Sequence, residues 1–396
     1  MNPNRARMGR KAQPWVHLAA RISLPLALLS WWAAAPALAQ VPERRRDYEE
    51  REPNEYRIIP AVASLPGIGV FVGIISSFSN IGDSGVDAAA TVAESVDDTD
   101  ISVRFFALRE VPLLIPGLKV EYWYGHFDIG NFQAYLPGRD SPNFTIPITA
   151  EFDFQLIRPS LRLWERRLYF AYTLAYFDGF DFDENGNERP FKDYDASGQF
   201  QLDLTDDEVD PRKGVRLGYS TTLEAPDTSI FGGTENPGSI TGGGENVIVR
   251  NYNLAIYIPF SKQLTVVWDS QYFSAEGGEE NDGEVVAGGS PPLRGYPANR
   301  WSDRFGMFTA LEARYTIPKN IKLDIYLAHG VLEGLQYALF YEVGQVGPDG
   351  GSELFEDVHH SYGAGFRVLF QAIVLRLDLA NSDEGLQTHL TIDQPF

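Results

Sequence analysis

From residue 68 to the end, the chain repeats one device. Segments of about ten residues alternate apolar and polar side chains, and turn-rich, acidic stretches separate them. Leu118, Val120, Tyr122 and Tyr124 share one face. Phe152, Phe154 and Leu156 form a second row opposite Glu151, Asp153 and Gln155. Leu168, Phe170, Tyr172, Leu174 and Tyr176 make a third. Later rows are Val215, Leu217, Tyr219 and Leu223, then Tyr252, Leu254, Ile256 and Ile258. Met307, Leu311, Tyr315 and Ile317 oppose Glu312 and Arg314, and Leu375, Leu377 and Leu379 oppose Arg376 and Asp378. The chain closes on Leu386, Leu390, Ile392 and Phe396 opposite Gln387, His389 and Asp393.

A period of two belongs to strands with one apolar and one polar face. It predicts strands near 68–78, 84–94, 100–108, 118–128, 148–157, 166–177, 196–205, 213–223, 246–258, 262–273, 304–317, 336–346, 358–370, 372–381 and 385–396. Residues 321–331 are a further strand or part of a loop, so the total is about 15 or 16, and a closed single-chain bacterial barrel takes an even number. A soluble sandwich alternates too. Here, however, the polar faces carry charges inside strands, which a filled or watery lumen tolerates. The apolar faces place Tyr122, Tyr124, Tyr176 and Tyr315 near strand ends, as the aromatic girdles of membrane barrels do. An open sheet in lipid would leave edge amides unpaired, so closure follows. The fold class is therefore all-β: a transmembrane antiparallel barrel of about 16 strands.

Composition narrows this further. Cysteine is absent, which excludes disulfides, thiolate metal sites and cysteine nucleophiles. The net charge of −21 argues against nucleic acid as a partner, because phosphate must be met by a basic surface. A mean hydropathy of −0.21, with no series of apolar 20-mers, excludes a bundle of membrane helices. Residues 1–40 read as a secretory signal: Arg5, Arg7, Arg10, Lys11 and Arg21, then an apolar core from Ile22 to Trp32, then Ala37 and Ala39 set for cleavage. A membrane anchor is the alternative, but the core is short and the ending favours cleavage. Removal takes away five cations and no acids, moving the charge from −21 to −26.

The window Ile58–Ile75 is apolar but is broken by Pro60, Pro66, Gly67, Gly69 and Gly73, so only its latter half is read as a strand. Residues 41–67 are accordingly expected to be a short periplasmic tail, with the barrel over 68–396. Phe396, a terminal aromatic closing an alternating strand, is the expected C-terminal assembly signal.

Five pieces in the second half resemble one family. Pro292-Leu293-Arg294-Gly295-Tyr296-Pro297 lies in a long loop, roughly 274–303. Phe340-Tyr341-Glu342-Val343-Gly344 and Ser361-Tyr362-Gly363-Ala364-Gly365-Phe366-Arg367 follow on strands. Asp210-Pro211-Arg212-Lys213-Gly214 is a turn upstream, and Leu375-Arg376-Leu377-Asp378-Leu379-Ala380 with Phe396 makes a closing pair. Together these resemble the BamA/TamA family of the bacterial surface antigen (Omp-eighty-five) superfamily. The resemblance implies that loop 274–303 folds into the lumen and that Arg294 meets the wall there. Parity places Phe340, Glu342 and Gly344 on the inward face of their strand. A guanidinium suits such a site because it stays charged and offers a fork of donors. A solvated loop arginine is the alternative. Periplasmic POTRA domains precede the barrel in family members that fold other barrels, and 41–67 is too short to hold one.

Other patterns are weaker. Gly82-Asp83-Ser84-Gly85 spells a serine-protease-like motif but sits between strands with no histidine nearby, and it reads as a turn. His359 and His360 are adjacent, so a strand points them to opposite faces. The acidic stretches 97–100, 203–210 and 276–284 lack a calcium-loop spacing. The expectation is a non-enzymatic outer-membrane barrel without a cofactor or metal. Its expected partners are membrane lipids, with other outer-membrane proteins or lipoproteins as further candidates. By the family resemblance it aids insertion or translocation of outer-membrane proteins or lipids, and the alternative is a passive pore, structural barrel or partner-bound anchor.

Overall fold

The computed structural model describes residues 54–392 except 66–68, 98–99, 136–137, 141–144, 166, 183–186, 208, 227–246, 278–284, 290–291 and 371–373. The signal segment 1–40, Gly67, Pro395 and Phe396 lie outside the described residues. The strands are β1 (Glu55–Leu65), β2 (Gly69–Ser79), β3 (Asp87–Ser95), β4 (Ile101–Pro112), β5 (Leu118–Tyr135) and β6 (Thr145–Leu163). Next come β7 (Leu168–Phe182), β8 (Glu188–Asp203), β9 (Gly214–Pro226), β10 (Val247–Pro259), β11 (Leu264–Glu276), β12 (Val285–Ala287) and β13 (Trp301–Asp303). The last are β14 (Phe305–Ile325), β15 (Ala328–Gly347), β16 (His359–Phe370), β17 (Val374–Ser382) and β18 (Gly385–Ile392).

All but β12 and β13 form one closed antiparallel barrel in which chain neighbours pair and β1 meets β18. That is a ring of 16 strands. The short β12 and β13 pair with each other inside the long loop between β11 and β14. The longest connections, 227–246 and 277–304, leave the same end of the ring, whereas the other end carries the tighter turns.

The ring begins earlier than the sequence suggested. β1 occupies residues 55–65, inside the segment expected to be a tail, and pairs with β2 along its whole length, from Glu55↔Ser79 to Leu65↔Gly69. Its Pro60 was a reason to doubt a strand there. Proline is tolerated because β1 is almost an edge: on its other side a single register pair, Ser64↔Leu390, joins it to β18 among the described residues. Residues 321–331 are not a strand of their own. They lengthen the β14–β15 hairpin beyond a register shift between Pro318 and Ile321. The tip of that hairpin reaches β1, where Tyr56 faces His329 and Arg57 faces Ala328.

Most rows face as their parity requires. Phe170, Tyr172, Leu217, Tyr252, Leu311, Tyr315, Leu377 and Leu379 are exposed on the outer wall, and Glu312, Arg314, Arg376 and Asp378 are buried inside. The row on β6 is reversed. Phe152, Phe154 and Leu156 point inward, into an aromatic core with Phe105, Trp123, Phe127, Phe177 and Phe191. Phe127 stacks on Phe152 at 5.1 Å and on Phe154 at 5.6 Å. Glu151, Asp153 and Gln155 face out, where Asp153 accepts a 2.8 Å hydrogen bond from the Tyr124 hydroxyl. The physical reason is height. Above the tyrosine row the outer face carries acids bonded to Tyr124 and His126, and the inner side offers a cluster of rings.

Candidate functional site

Loop 277–304 turns back into the ring, and its apex is wholly buried: Leu293 and Arg294 have no exposed surface, and Tyr296 has almost none. Leu293 adopts a left-handed backbone (φ 66°) and packs with Val285, Ala287, Trp301, Phe308 and Val346. That bend aims Arg294 at the wall formed by β14 to β18.

Arg294 meets three carboxylates at once. Its Nε donates to Glu342 Oε1 at 2.7 Å, its Nη1 to Asp378 Oδ2 at 2.6 Å and its Nη2 to Glu312 Oε2 at 3.1 Å. Its backbone N–H donates to Glu342 Oε2 at 2.7 Å, and Ser361 Oγ donates to that same oxygen at 2.6 Å. The guanidinium lies over the Phe340 ring, 3.4 Å from its centroid. His389 Nε2 lies 2.6 Å from the Arg294 carbonyl, and a carbonyl only accepts, so the proton is on Nε2. Burial disfavours the Arg294 charge, but Glu342, Asp378 and Glu312 more than offset this and hold its pKa above the ordinary range.

The wall residues are themselves cross-linked. Glu312 also takes Arg314 Nε and Arg367 Nη2, each at 2.7 Å, and Asp378 takes Arg376 Nε at 3.4 Å. Arg367 Nη1 donates to Gln336, and Gln336 Nε2 donates to Asp210 on the turn between β8 and β9 at 3.0 Å. The Asp210-Pro211-Arg212 turn is thus tied into the network, and Val209 beside it packs on Leu369 and Val374. The glycines of the two matching segments make the space. A Cβ on Gly363 would meet Phe340 Cζ at 2.5 Å, and one on Gly365 would collide with Asp378 Oδ1. A Cβ on Gly295 would meet Ser361 Cβ at 2.7 Å and the Asn381 carbonyl oxygen at 2.8 Å.

Tyr296 completes the apex. Its hydroxyl lies 2.6 Å from Asp383 Oδ1 and 3.2 Å from the His360 carbonyl oxygen. Burial, then the bond to Asp383, raises its pKa. His359 faces inward and stacks on Trp301 at 3.5 Å, while His360 sits beside Tyr341 on the outside. Ser84 of the Gly82–Gly85 turn donates to the Ile81 carbonyl. Among the described residues no three histidine, aspartate or glutamate side chains are grouped so as to hold a metal.

The residues singled out in the sequence therefore divide clearly. Leu293, Arg294, Gly295, Tyr296, Phe340 and Glu342 converge. Gly344 lies further along β15, where a Cβ would overlap the Phe308 ring. Sequence reasoning placed Glu312, Arg314, Arg376 and Asp378 inside but did not name Glu312 and Asp378 as partners of Arg294, and it missed His389 and Gln336. Their signal was inward parity on β14 to β18.

Fold and site together define a barrel of 16 strands whose longest loop is latched to the inner wall by a buried arginine. The fold is that of BamA- and CdiB-type barrels. The chain is similar to BamA from Haemophilus ducreyi lacking POTRA domains 1-3, at 12% identity and a TM-score of 0.55, covering 93% of this chain and 77% of that one. It is similar to CdiB from Escherichia coli at 12% identity and a TM-score of 0.57, covering 87% of this chain and 63% of that one. CdiB from Acinetobacter baumannii matches at 11% identity and a TM-score of 0.53, over 85% and 59%. The chain thus spans less than two thirds of either CdiB. No protein-family model and no curated protein matches the sequence.

Proposed function

We propose that this is an integral protein of a Gram-negative-type outer membrane, delivered there by the signal at residues 1–40, which aids insertion or translocation of outer-membrane proteins or lipids. The observation that carries the reading is the seam. Neighbouring strands elsewhere pair over many residues, for example Leu168–Phe182 with Glu188–Leu202, whereas β1 and β18 share one register pair among the described residues. A poorly paired edge is a template on which an incoming strand can add by main-chain hydrogen bonds. The action needs no covalent chemistry, so we infer a non-enzymatic role with lipids and other outer-membrane proteins or lipoproteins as partners. A passive pore fits less well, because the latched loop and the aromatic core occupy the lumen.

The chain's lack of cysteine allows a direct test. Ser64→Cys with Leu390→Cys is oxidised to lock the seam, and Val72→Cys with Glu94→Cys locks the well-paired β2–β3 ladder as a control. The readout is the rate at which an unfolded reporter barrel inserts into vesicles carrying this protein. Parent and control should accelerate insertion, and the seam lock should abolish the acceleration until reductant is added. Equal rates with and without the seam lock would overturn the reading.

A further inference from the structure

The outer wall over β5 to β7 shows where a bilayer would have to lie. On β7 the outward residues Leu168, Phe170, Tyr172, Leu174 and Tyr176 are followed by Asp178, which binds both Tyr176 and Lys192. On β5 the row Leu118, Val120, Tyr122 and Tyr124 gives way to His126 and Asp128, and on β6 Ile157 to Leu163 replaces the outward Glu151 and Asp153. The polar boundary is therefore at the level of Tyr124 and Tyr176. From there to Leu168 is a run of nine residues. At about 3.3 Å each and a tilt of about 40°, it spans roughly 23 Å, close to the ~25 Å apolar band of such barrels. The whole wall is used, so the other boundary falls at the turns themselves.

The first of those turns is apolar at its tip, and the second opens on a tryptophan ahead of charged residues. Between β4 and β5, Leu113, Leu114 and Ile115 are exposed, Leu114 completely, and Leu163 at the end of β6 and Trp164 just after it are exposed. The first turn is held by its own hydrogen bonds, Leu113 N–H to the Leu118 carbonyl and Leu118 N–H to that of Ile115. The Arg162 N–H donates to the Gly117 carbonyl and binds the two turns side by side. Their inner side is polar: Glu110 pairs with Lys119 at 2.7 Å and Arg162 at 3.4 Å. The tips thus continue the outer wall, not the lumen.

We propose that Leu113, Leu114 and Ile115, with Trp164 beside them, form a lipid anchor seated at the acyl–headgroup boundary of the phospholipid leaflet on the turn side. The occupant is membrane lipid because the tips are continuous with the lipid-facing wall and stand where its far boundary falls. Indole at such a boundary has its apolar body in the chains and its N–H in the headgroups. The inference rests on the membrane reading above, and the experiment separates the two.

Single cysteines replacing Leu114, Tyr172 and Asp128 are spin-labelled in protein folded into phosphatidylethanolamine–phosphatidylglycerol vesicles. Collision rates with oxygen and with a water-soluble nickel chelate are compared at each site. Leu114 should favour oxygen, as should Tyr172, and Asp128 should favour nickel. Bromine-labelled lipids should also quench the parent's tryptophan emission more than that of Trp164→Phe. A Leu114 label that favours nickel while Tyr172 favours oxygen would overturn the anchor and leave the membrane barrel standing. A Tyr172 label that favours nickel would sink the membrane reading itself. Shielding of Leu114 only in cell envelopes, and never in pure lipid, would mean a protein covers the tips, which also overturns the proposal.

Discussion

A guanidinium sealed from water needs anions with good geometry, and Arg294 has three. Removing it strands carboxylates that differ in their remaining support. Glu312 keeps Arg314 and Arg367, and Asp378 keeps Arg376, while Glu342 keeps the hydrogen bond from the Ser361 hydroxyl. Broken buried pairs cost about 3–5 kcal/mol, and less where water can enter. Arg294→Ala and Glu342→Ala should therefore each lower folded-barrel yield and expose the loop to protease, and the double change should cost less than the sum. Arg294→Lys should rescue only in part, since an ammonium cannot address three carboxylates in a fork. Strict additivity in a double-mutant cycle would show that the contact is not energetically coupled. Gly295→Ala is a second check: with backbone of Asn381 in the way, it should unseat the loop and raise protease cutting near 290 without changing any charge. The family resemblance pointed to Arg294 in the lumen, and parity put Glu342 on the inward face of its strand. They could not find Glu312 and Asp378 as partners, because alternation says which way a residue points and not which residues meet across a lumen.

Strands carried most of the legible information. Alternation located the barrel strands from β2 onward and the facing of nearly every row, since period two is a local property of the chain. It failed where the solvent changes along one strand. On β6 the apolar residues turn inward at Phe152, Phe154 and Leu156, into an aromatic cluster, while the charged residues of that stretch face out. Phe154→Asp should then prevent folding, and Phe154→Ala should cost about 3–5 kcal/mol. Asp153→Ala, on the wet outer face, should leave the urea midpoint almost unmoved. Equal sensitivity at both positions would restore the opposite facing. The strand count also came out near the mark by a different account. The sixteenth strand is β1 and not 321–331, because pairing with β2 outweighs Pro60 on a sparsely bonded edge.

Over the whole molecule, the side of β1 away from β2 is held at two distant points among the described residues: Ser64 on β18, and Tyr56 and Arg57 on the tip of the β14–β15 hairpin, with Ile58 N–H bonded to the Leu327 carbonyl at 2.8 Å. Replacing 319–331 by a tight turn should release one hold. Oxidation of the Ser64→Cys/Leu390→Cys pair should then become slower and less complete, while the β2–β3 control pair stays the same. An unchanged rate at the seam would mean that the hairpin carries no share of closure. The filled lumen makes a second global statement: in planar bilayers the parent should conduct little, and Arg294→Ala should conduct more. A large steady conductance in the parent would contradict the packing of Leu293, Trp301 and Val346.

The same seam sets an order in time. Apart from the hold of the β14–β15 tip on β1, every other join in the ring is between strands that follow one another in the chain or flank loop 277–304, which form early because little chain must be gathered. The ring alone closes between opposite ends of the chain, so β1 waits, with one side of its backbone unpaired, until the last strands arrive. The edge that is least bonded among the described residues is thus the last to be bonded during assembly. A half-built barrel and an opened one therefore present the same face. Whatever escorts the young chain by gripping that edge would also grip the mature protein whenever its seam parts.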